Sequence, residues 1–335
     1  MLPPLLSHDI TQGIKQFLTT GFEPSNPFFQ GLMQRFVDNE SGWLKGPFLQ
    51  LGLPFRTGSQ GTGFFPGLNM QHAGYVHQEK AWHRLDSGHM ASNTLVATGT
   101  GSGKTECFLY PLLVHAARMH ASGGNEAKGI KALVIYPMNA LATDQARRFA
   151  EAVAEFSAFS GLRVGLFVGG QGKGLSGNPV MTSSEVITDR EILRKQPPDI
   201  LLTNYKMLDY LLIRPKDRLL WAHNTPTTLR YIVVDELHTF DGAQGTDLAL
   251  LLRRLRARLQ TPEGHLICAG TSATLGGNAD TSPLREYARQ VMGGDFSPES
   301  VITEDRRTLT EFLDGASTEH VFEFAEDHER LLDPS

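Results

Sequence analysis

The sequence predicts an α/β fold: a mainly parallel sheet with helices on both faces, preceded by a helical N-terminal extension. From Tyr75 onward, short apolar segments alternate with helix-periodic ones, which is typical of parallel strands joined by helices. A glycine-rich turn at residues 99–103 separates the first apolar segment from a helical pattern. Residues 1–70 differ, because they combine short amphipathic stretches with a glycine-rich segment.

The individual elements follow from these patterns. We predict strands at residues 94–97, 132–136, 163–168, 200–203, 231–234 and 266–269. We predict helices around residues 108–116, 184–194, 246–259, 284–292 and 309–313. Each strand is a short apolar run, as expected for a sheet that is buried on both faces.

The composition restricts the kinds of partner and compartment. The chain has 335 residues, 20% of them charged, and a net charge of -5, so any nucleic-acid site must be a local groove. Its two cysteines, Cys107 and Cys268, cannot form a disulfide framework or a zinc site of thiols. No basic leader or long apolar run is present, which favours a cytoplasmic protein without a membrane segment.

A phosphate-binding loop is predicted directly after the first strand. Its residues are Thr98, Gly99, Thr100, Gly101, Ser102, Gly103, Lys104 and Thr105. The glycines allow backbone N–H groups and the start of the next helix to converge on the phosphates of a nucleotide. Lys104 adds a positive charge, and Thr105 offers a hydroxyl to magnesium. Thr98 replaces the first glycine of the strict pattern G-x-x-x-x-G-K-S/T. The sequence therefore matches only the second half of that pattern.

Two adjacent carboxylates, Asp235 and Glu236, follow the apolar strand at residues 231–234. Once the strand ends, the backbone can turn so that both side chains face the same site. The first can hold magnesium, and the second can orient or deprotonate a water. The hydroxyl residues at 271–274 end the next strand and could donate hydrogen bonds to this pair.

These segments occur in the order of the characteristic motifs of superfamily 2 helicases, whose motors use RecA-like domains. The segments that complete the series lie at residues 75–78, 136–141 and 202–208. Residues 198–208 and 234–245 narrow the resemblance to the YprA/MrfA group of DExH helicases. The resemblance covers roughly residues 75–275, and some large relatives occur in bacterial anti-phage systems.

The resemblance implies ATP and Mg²⁺ as cofactors and assigns a role to each residue of the nucleotide site. Gln78 would read the adenine edge, and Thr105 with Asp235 would hold the metal. Glu236 would activate the attacking water. The residues that would hold the phosphates are Gly101, Gly103 and Lys104.

The resemblance also implies nucleic acid as a partner, with DNA favoured. The residues that would touch the sugar-phosphate backbone are Pro137, Asn139, Thr203 and Asn204. His238, Ser272 and Thr274 would couple the nucleotide state to the bound strand. Contacts to the backbone alone do not read bases, so we expect binding that tolerates any sequence and weakens with salt.

We therefore predict three regions: a helical extension at 1–70, a RecA-like helicase ATP-binding domain at 71–278, and a linker or the start of a further region at 279–335. The predicted function is the first half of an ATP-dependent DNA helicase or translocase, an ATP hydrolase. Nothing after Thr274 resembles the second RecA-like domain, so we expect that domain in a longer protein and weak activity here. The alternative is an adaptor or regulator that binds ATP and nucleic acid without turnover.

Overall fold

The computed structural model describes residues 3–39, 52–124, 127–169, 177–272 and 280–314. The helices of these residues are α1 (Pro3–Gly21), α2 (Leu32–Val37), α3 (Val76–Leu85), α4 (Lys104–Ser122), α5 (Asn139–Glu155), α6 (Arg190–Lys195), α7 (Tyr205–Ile213), α8 (Gly242–Leu259), α9 (Ser282–Met292) and α10 (Leu309–Leu313). The strands are β1 (Thr94–Ala97), β2 (Ala132–Tyr136), β3 (Val164–Phe167), β4 (Ile200–Asn204), β5 (Tyr231–Val234), β6 (Ile267–Ser272) and β7 (Val301–Thr303).

The chain divides into two compact units, Phe55–Arg306 and a unit with the bounds Met1–Pro54 and Arg307–Ser335. Helices α1 and α2 belong to the second unit and confirm the helical character of the N-terminal region. The domain boundaries at residues 70 and 278 stay a prediction. Within the described ranges, none of the helices has the length and hydropathy that a bilayer crossing requires.

The sheet of the larger unit has seven strands in the order β3-β4-β2-β5-β6-β1-β7. Every pairing is parallel, and Val134 of β2 lies between Leu202 of β4 and Val233 of β5. Strands β1, β2 and β5 have the bounds predicted from the sequence. Strand β7 was not predicted, because its three residues carry too little periodicity, and it is recognised only by its pairing with β1.

Side chains that alternate along the central strands enter two separate cores. Val134 packs in a core that includes Phe149 of α5. Its neighbour Leu133 packs in the opposite core, together with Leu208 of α7 and Leu252 of α8. Because successive side chains of a strand point to opposite faces, two cores mean that both faces of the sheet are covered. The predicted fold class is confirmed.

Several element boundaries differ from prediction, and two of them have a clear local reason. Helix α6 begins at Arg190, where a helix was predicted from residue 184, because the Asp189 side chain accepts hydrogen bonds from the N–H groups of Glu191 and Ile192. Such a cap sets the first turn of a helix. Strand β6 continues to Ser272, beyond the predicted end at residue 269, because parallel pairing with β1 extends to Ala97. Thr271 and Ser272 are therefore held in the sheet.

A buried ion pair joins the starts of two neighbouring strands. Lys131 precedes β2 and Asp199 precedes β4, and their Nζ and Oδ1 atoms are 2.7 Å apart with side chains 1% and 4% exposed. Asp199 Oδ1 also lies 2.7 Å from His120 Nε2, and its Oδ2 accepts a 2.7 Å hydrogen bond from the Arg163 N–H. A buried charge in this position requires its partner, because solvation by water is lost.

We expect the substitution Asp199→Ala to lower the free energy of unfolding by about 3 kcal/mol, because it leaves the Lys131 ammonium buried without its carboxylate. The matched control is Glu151→Ala, which breaks an exposed ion pair with Arg147 and should change stability by no more than about 0.5 kcal/mol. Chemical denaturation of both variants measures the difference. Equal effects would show that the buried pair adds nothing to the stability of the sheet.

Candidate functional site

Three neighbouring strands bring the predicted chemical groups to one edge of the sheet. Strand β6 lies between β5 and β1, so the loops after β5 and β1 adjoin at the carboxyl edge of the sheet. They surround an open pocket of about 430 Å³. The residues that line it are Tyr75, Gln78, Thr100, Gly101, Gly103, Lys104, Thr105, Glu106, Leu141, Gln145, Arg148, Asp235 and Glu236.

The phosphate loop adopts a conformation that requires glycine at two positions. Gly101 and Gly103 both have φ of +77°, in the left-handed region that other residues rarely adopt. A Cβ at Gly103 would also lie 2.3 Å from Gln78 Nε2, which donates a 3.2 Å hydrogen bond to the Gly103 carbonyl. Helix α4 begins at Lys104, so its first N–H groups have no partner within the helix and point toward the pocket.

Three residues of the predicted loop support its shape and do not line the pocket. Thr98 and Ser102 are fully buried, with hydroxyl oxygens 2.7 Å apart, and Ser102 O accepts a 2.8 Å hydrogen bond from His77 Nε2. Burial lowers the pKa of His77, which favours the neutral form of this ring. The Gly99 N–H donates a 3.0 Å hydrogen bond to Glu304 Oε2. These contacts thus hold the loop on the side that faces away from the pocket.

The lysine of the loop reaches across the pocket to the second carboxylate. Lys104 Nζ lies 3.1 Å from Glu236 Oε1 and 3.5 Å from the Ser272 carbonyl oxygen. Glu236 has φ of +50°, an uncommon value for a residue other than glycine. The chain therefore turns sharply after β5, and both Asp235 and Glu236 line the pocket, as the sequence predicted.

The first carboxylate is held by a residue of the neighbouring strand. Thr271 Oγ1 donates a hydrogen bond to Asp235 Oδ1 and accepts one of 2.9 Å from the Glu236 N–H. Burial raises the pKa of Asp235, while the Thr271 hydrogen bond and the positive charge of Lys104 act in the opposite direction. The predicted contact between a hydroxyl of residues 271–274 and the carboxylate pair is made by Thr271.

A group of polar residues around Thr105 was missed by the sequence analysis. Thr105 Oγ1 donates a 2.8 Å hydrogen bond to Gln145 Oε1 and accepts one of 2.8 Å from Arg148 Nη1. The Arg148 guanidinium also pairs with Glu106. Gln145 and Arg148 lie three residues apart on α5, which places them on one helix face. That spacing was visible in the sequence, but their distance along the chain from Thr105 hid the contact.

The predicted coupling residues are only partly described. His238 Nδ1 lies 3.4 Å from Ser272 Oγ and 3.4 Å from Glu236 Oε2. Thr274 lies outside the described residues. Ser272 and His238 therefore form a polar contact at the edge of the pocket, next to the carboxylate that faces Lys104.

A second pocket, of about 490 Å³, lies beside three of the four residues predicted to contact nucleic acid. The residues that line it are Pro137, Met138, Asn139, Asn204, Tyr205, Lys206, Thr239 and Gln244. The Asn204 side-chain amide donates to the Asn139 side-chain carbonyl, which joins the loops after β2 and β4. Lys206 adds an exposed positive charge that the sequence analysis did not select.

Thr203 does not belong to this surface, which corrects its predicted position. Its side chain is fully buried, and Oγ1 donates a 2.6 Å hydrogen bond to the Phe167 carbonyl. Thr203 is the fourth residue of β4, where its side chain points into the protein, and only the next residue, Asn204, reaches the pocket.

Comparison with known proteins places the chain among helicases. The family model described as DEAD/DEAH box helicase matches residues 75–282. Druantia protein DruE of Escherichia coli strain UMEA 4076-1 is 29% identical over 354 residues, covering 73% of this chain and 19% of DruE. The helicase YprA of Bacillus subtilis is 30% identical, covering 60% of this chain and 23% of YprA. The chain spans about a fifth of the length of these curated relatives.

Solved structures share the fold. The crystal structure of the DUF1998 helicase MrfA bound to DNA is similar with a TM-score of 0.50 and 24% identity, covering 70% of this chain and 28% of that chain. Mss116p bound to ssRNA and AMP-PNP is similar with a TM-score of 0.52 and 17% identity, covering 74% of this chain and 41% of that chain.

The predicted RecA-like fold and the resemblance to the YprA/MrfA group are confirmed by these comparisons. The family model covers more than half of the chain and includes the phosphate loop, both carboxylates and both pockets. The chain therefore belongs to the DEAD/DEAH box helicase family.

Proposed function

We propose that this chain is the first motor domain of a helicase or translocase that binds ATP with Mg²⁺ in the pocket beside the phosphate loop and holds DNA at the second pocket. One observation carries the proposal. Two loops, far apart in sequence, place Lys104, Thr105, Asp235 and Glu236 around a single pocket. The DEAD/DEAH box helicase family supports this interpretation.

The pocket residues fit a nucleotide and a hard cation. At Gly101 a Cβ would meet no other atom within 4 Å, so phosphates can approach the backbone of the loop there. Thr105 and Asp235 supply hydroxyl and carboxylate oxygens, which are ligands that Mg²⁺ prefers. When bound, Mg²⁺ neutralises charge on the phosphate oxygens.

Different side chains of the pocket bind the phosphates, contact the adenine and activate the water. Lys104 and the N–H groups at the start of α4 attract the phosphates. Gln78 and Tyr75 would contact the adenine, and Gln78 is held by accepting a 2.9 Å hydrogen bond from the Tyr75 N–H. Glu236 orients the attacking water and accepts its proton.

A short turn connects the two pockets. The 3₁₀ turn Leu237–Thr239 follows Glu236, and Thr239 Oγ1 donates a 2.7 Å hydrogen bond to the Glu236 carbonyl while lining the second pocket. His238 of the same turn contacts Ser272. A shift of a nucleic-acid strand bound at Thr239 would therefore move the backbone of Glu236. Nucleic acid could influence hydrolysis in this way.

Full activity requires more than this domain. Related phosphoryl-transfer enzymes use an arginine from another domain or another protein to stabilise the transition state. This arginine raises the rate by roughly 10³ to 10⁵. We propose that a second RecA-like domain supplies this arginine and that residues 1–335 alone hydrolyse ATP weakly. A non-hydrolysing adaptor remains the alternative, and the presence of Glu236 favours the enzyme.

We expect Lys104→Ala to weaken ATP binding by about 100-fold or more, because a charged hydrogen-bond donor to the phosphates is lost. Lys195→Ala, which removes an exposed lysine on α6, is the matched control and should bind normally. Binding of a fluorescent ATP analogue and thermal melting are measured on the same samples. A folded Lys104→Ala protein with normal affinity would refute the phosphate-loop assignment.

We expect Glu236→Gln in the full-length protein to retain ATP binding and to lose hydrolysis, because the amide keeps the size of the side chain but cannot accept a proton. Turnover should fall by far more than tenfold, which corresponds to about 1.4 kcal/mol in the barrier. Glu263→Gln, an exposed exchange of the same kind, is the control. If the Glu236→Gln variant hydrolyses ATP at a rate within tenfold of the wild type, another group is the catalytic carboxylate. If the wild-type protein itself does not hydrolyse ATP, the adaptor is favoured.

We expect Asn139→Ala and Asn204→Ala each to weaken binding of single-stranded DNA by about threefold to tenfold, the effect of one neutral hydrogen bond. The loss should be equal for all base sequences, because these amides would contact only the backbone. Asn178→Ala, whose amide contacts Glu185 elsewhere on the surface, is the control. Fluorescence anisotropy with several oligonucleotides measures the affinities, and a change in sequence preference would mean that these loops read bases.

A further inference from the structure

The nucleotide pocket contains an arginine that none of the family motifs identified above includes. Arg148 of α5 lines the pocket with its side chain 38% exposed. Its Nη1 donates a 2.8 Å hydrogen bond to Thr105 Oγ1, and its Nη2 pairs with the carboxylate of Glu106. One guanidinium therefore bridges the hydroxyl expected to hold magnesium and the carboxylate next to it in the chain.

The hydroxyl of Thr105 is already fully engaged by protein groups. It donates its proton to Gln145 Oε1 at 2.8 Å and accepts a hydrogen bond from Arg148. Thr105 itself is only 6% exposed. A metal ion that binds this oxygen must approach within a few ångströms of the guanidinium, and two positive charges at that distance repel each other strongly. Arg148 and a cation cannot both bind Thr105 Oγ1 favourably.

Arg148 has a second acceptor available when it leaves Thr105. Glu106 Oε2 is buried and has no hydrogen-bond partner among the described residues, whereas Oε1 already pairs with Arg148. A buried carboxylate oxygen without a donor is unfavourable. A small movement of the guanidinium away from Thr105 could satisfy both oxygens of Glu106, since arginine binds carboxylates with two parallel N–H groups.

We propose that Arg148 and Mg²⁺ compete for Thr105 Oγ1, so that Arg148 sets the metal dependence of nucleotide binding. The inference rests on the proposed ATP site. With Arg148 on Thr105, its positive charge lies beside the phosphates and favours nucleotide without metal. When Mg²⁺ binds, Arg148 must move to Glu106. Arg148 thus lowers the preference of the pocket for the metal-bound nucleotide.

The test compares the affinity for a fluorescent ATP analogue in Mg²⁺ with the affinity in EDTA. We expect Arg148→Ala to raise the ratio of these two affinities about tenfold, an effect of about 1.4 kcal/mol. Arg147→Ala is the matched control, because this neighbouring arginine is 66% exposed and pairs with Glu151 at 2.7 Å. A general loss of structure would change both affinities alike and leave the ratio constant.

A second variant keeps the proposal testable if Arg148→Ala misfolds. Arg148→Lys keeps the charge and the ion pair with Glu106 but lacks the forked guanidinium, so it should raise the ratio in the same direction. Thermal melting monitors the fold of each variant. Ratios that stay at the wild-type value, or fall, in both variants overturn the competition. Wild-type protein that binds no nucleotide in either buffer instead contradicts the proposed ATP site itself.

Discussion

The position of β6 between β5 and β1 is the constraint on which the rest of the structure depends. In a parallel sheet the carboxyl ends of all strands lie at one edge, so this order brings the loops after β1 and β5 together across a single strand. The phosphate loop and the carboxylate pair are separated by more than a hundred residues in the sequence, yet Lys104 and Glu236 are in contact. Neither loop forms the site alone.

Strand β6 also positions the two carboxylates. Its residue Thr271 donates to Asp235 and accepts from the Glu236 N–H, so one hydroxyl fixes both the side chain of the first carboxylate and the backbone of the second. The left-handed conformation of Glu236 is stabilised by this contact, which offsets an unfavourable backbone geometry at the functional site. A rigid strand is therefore the support for the most strained residue of the pocket.

The two pockets share structural parts. The turn Leu237–Thr239 begins at Glu236 and ends at the wall of the second pocket. Helix α5 contributes Asn139 to the second pocket and Arg148 to the first. Both connections are short, since the turn has three residues and Asn139 and Arg148 lie on the same helix.

The sequence by itself determined the fold class, six of the seven strands, the phosphate loop and the carboxylate pair. These features are local: a buried parallel strand is a continuous apolar run, and a phosphate loop needs glycines at fixed positions beside Lys104. Only the tertiary structure decided that Thr271 holds Asp235, that Thr203 is buried, and that Arg148 reaches Thr105. These contacts join residues far apart in the chain, and their geometry depends on strand order and helix packing, which no local pattern of residues encodes.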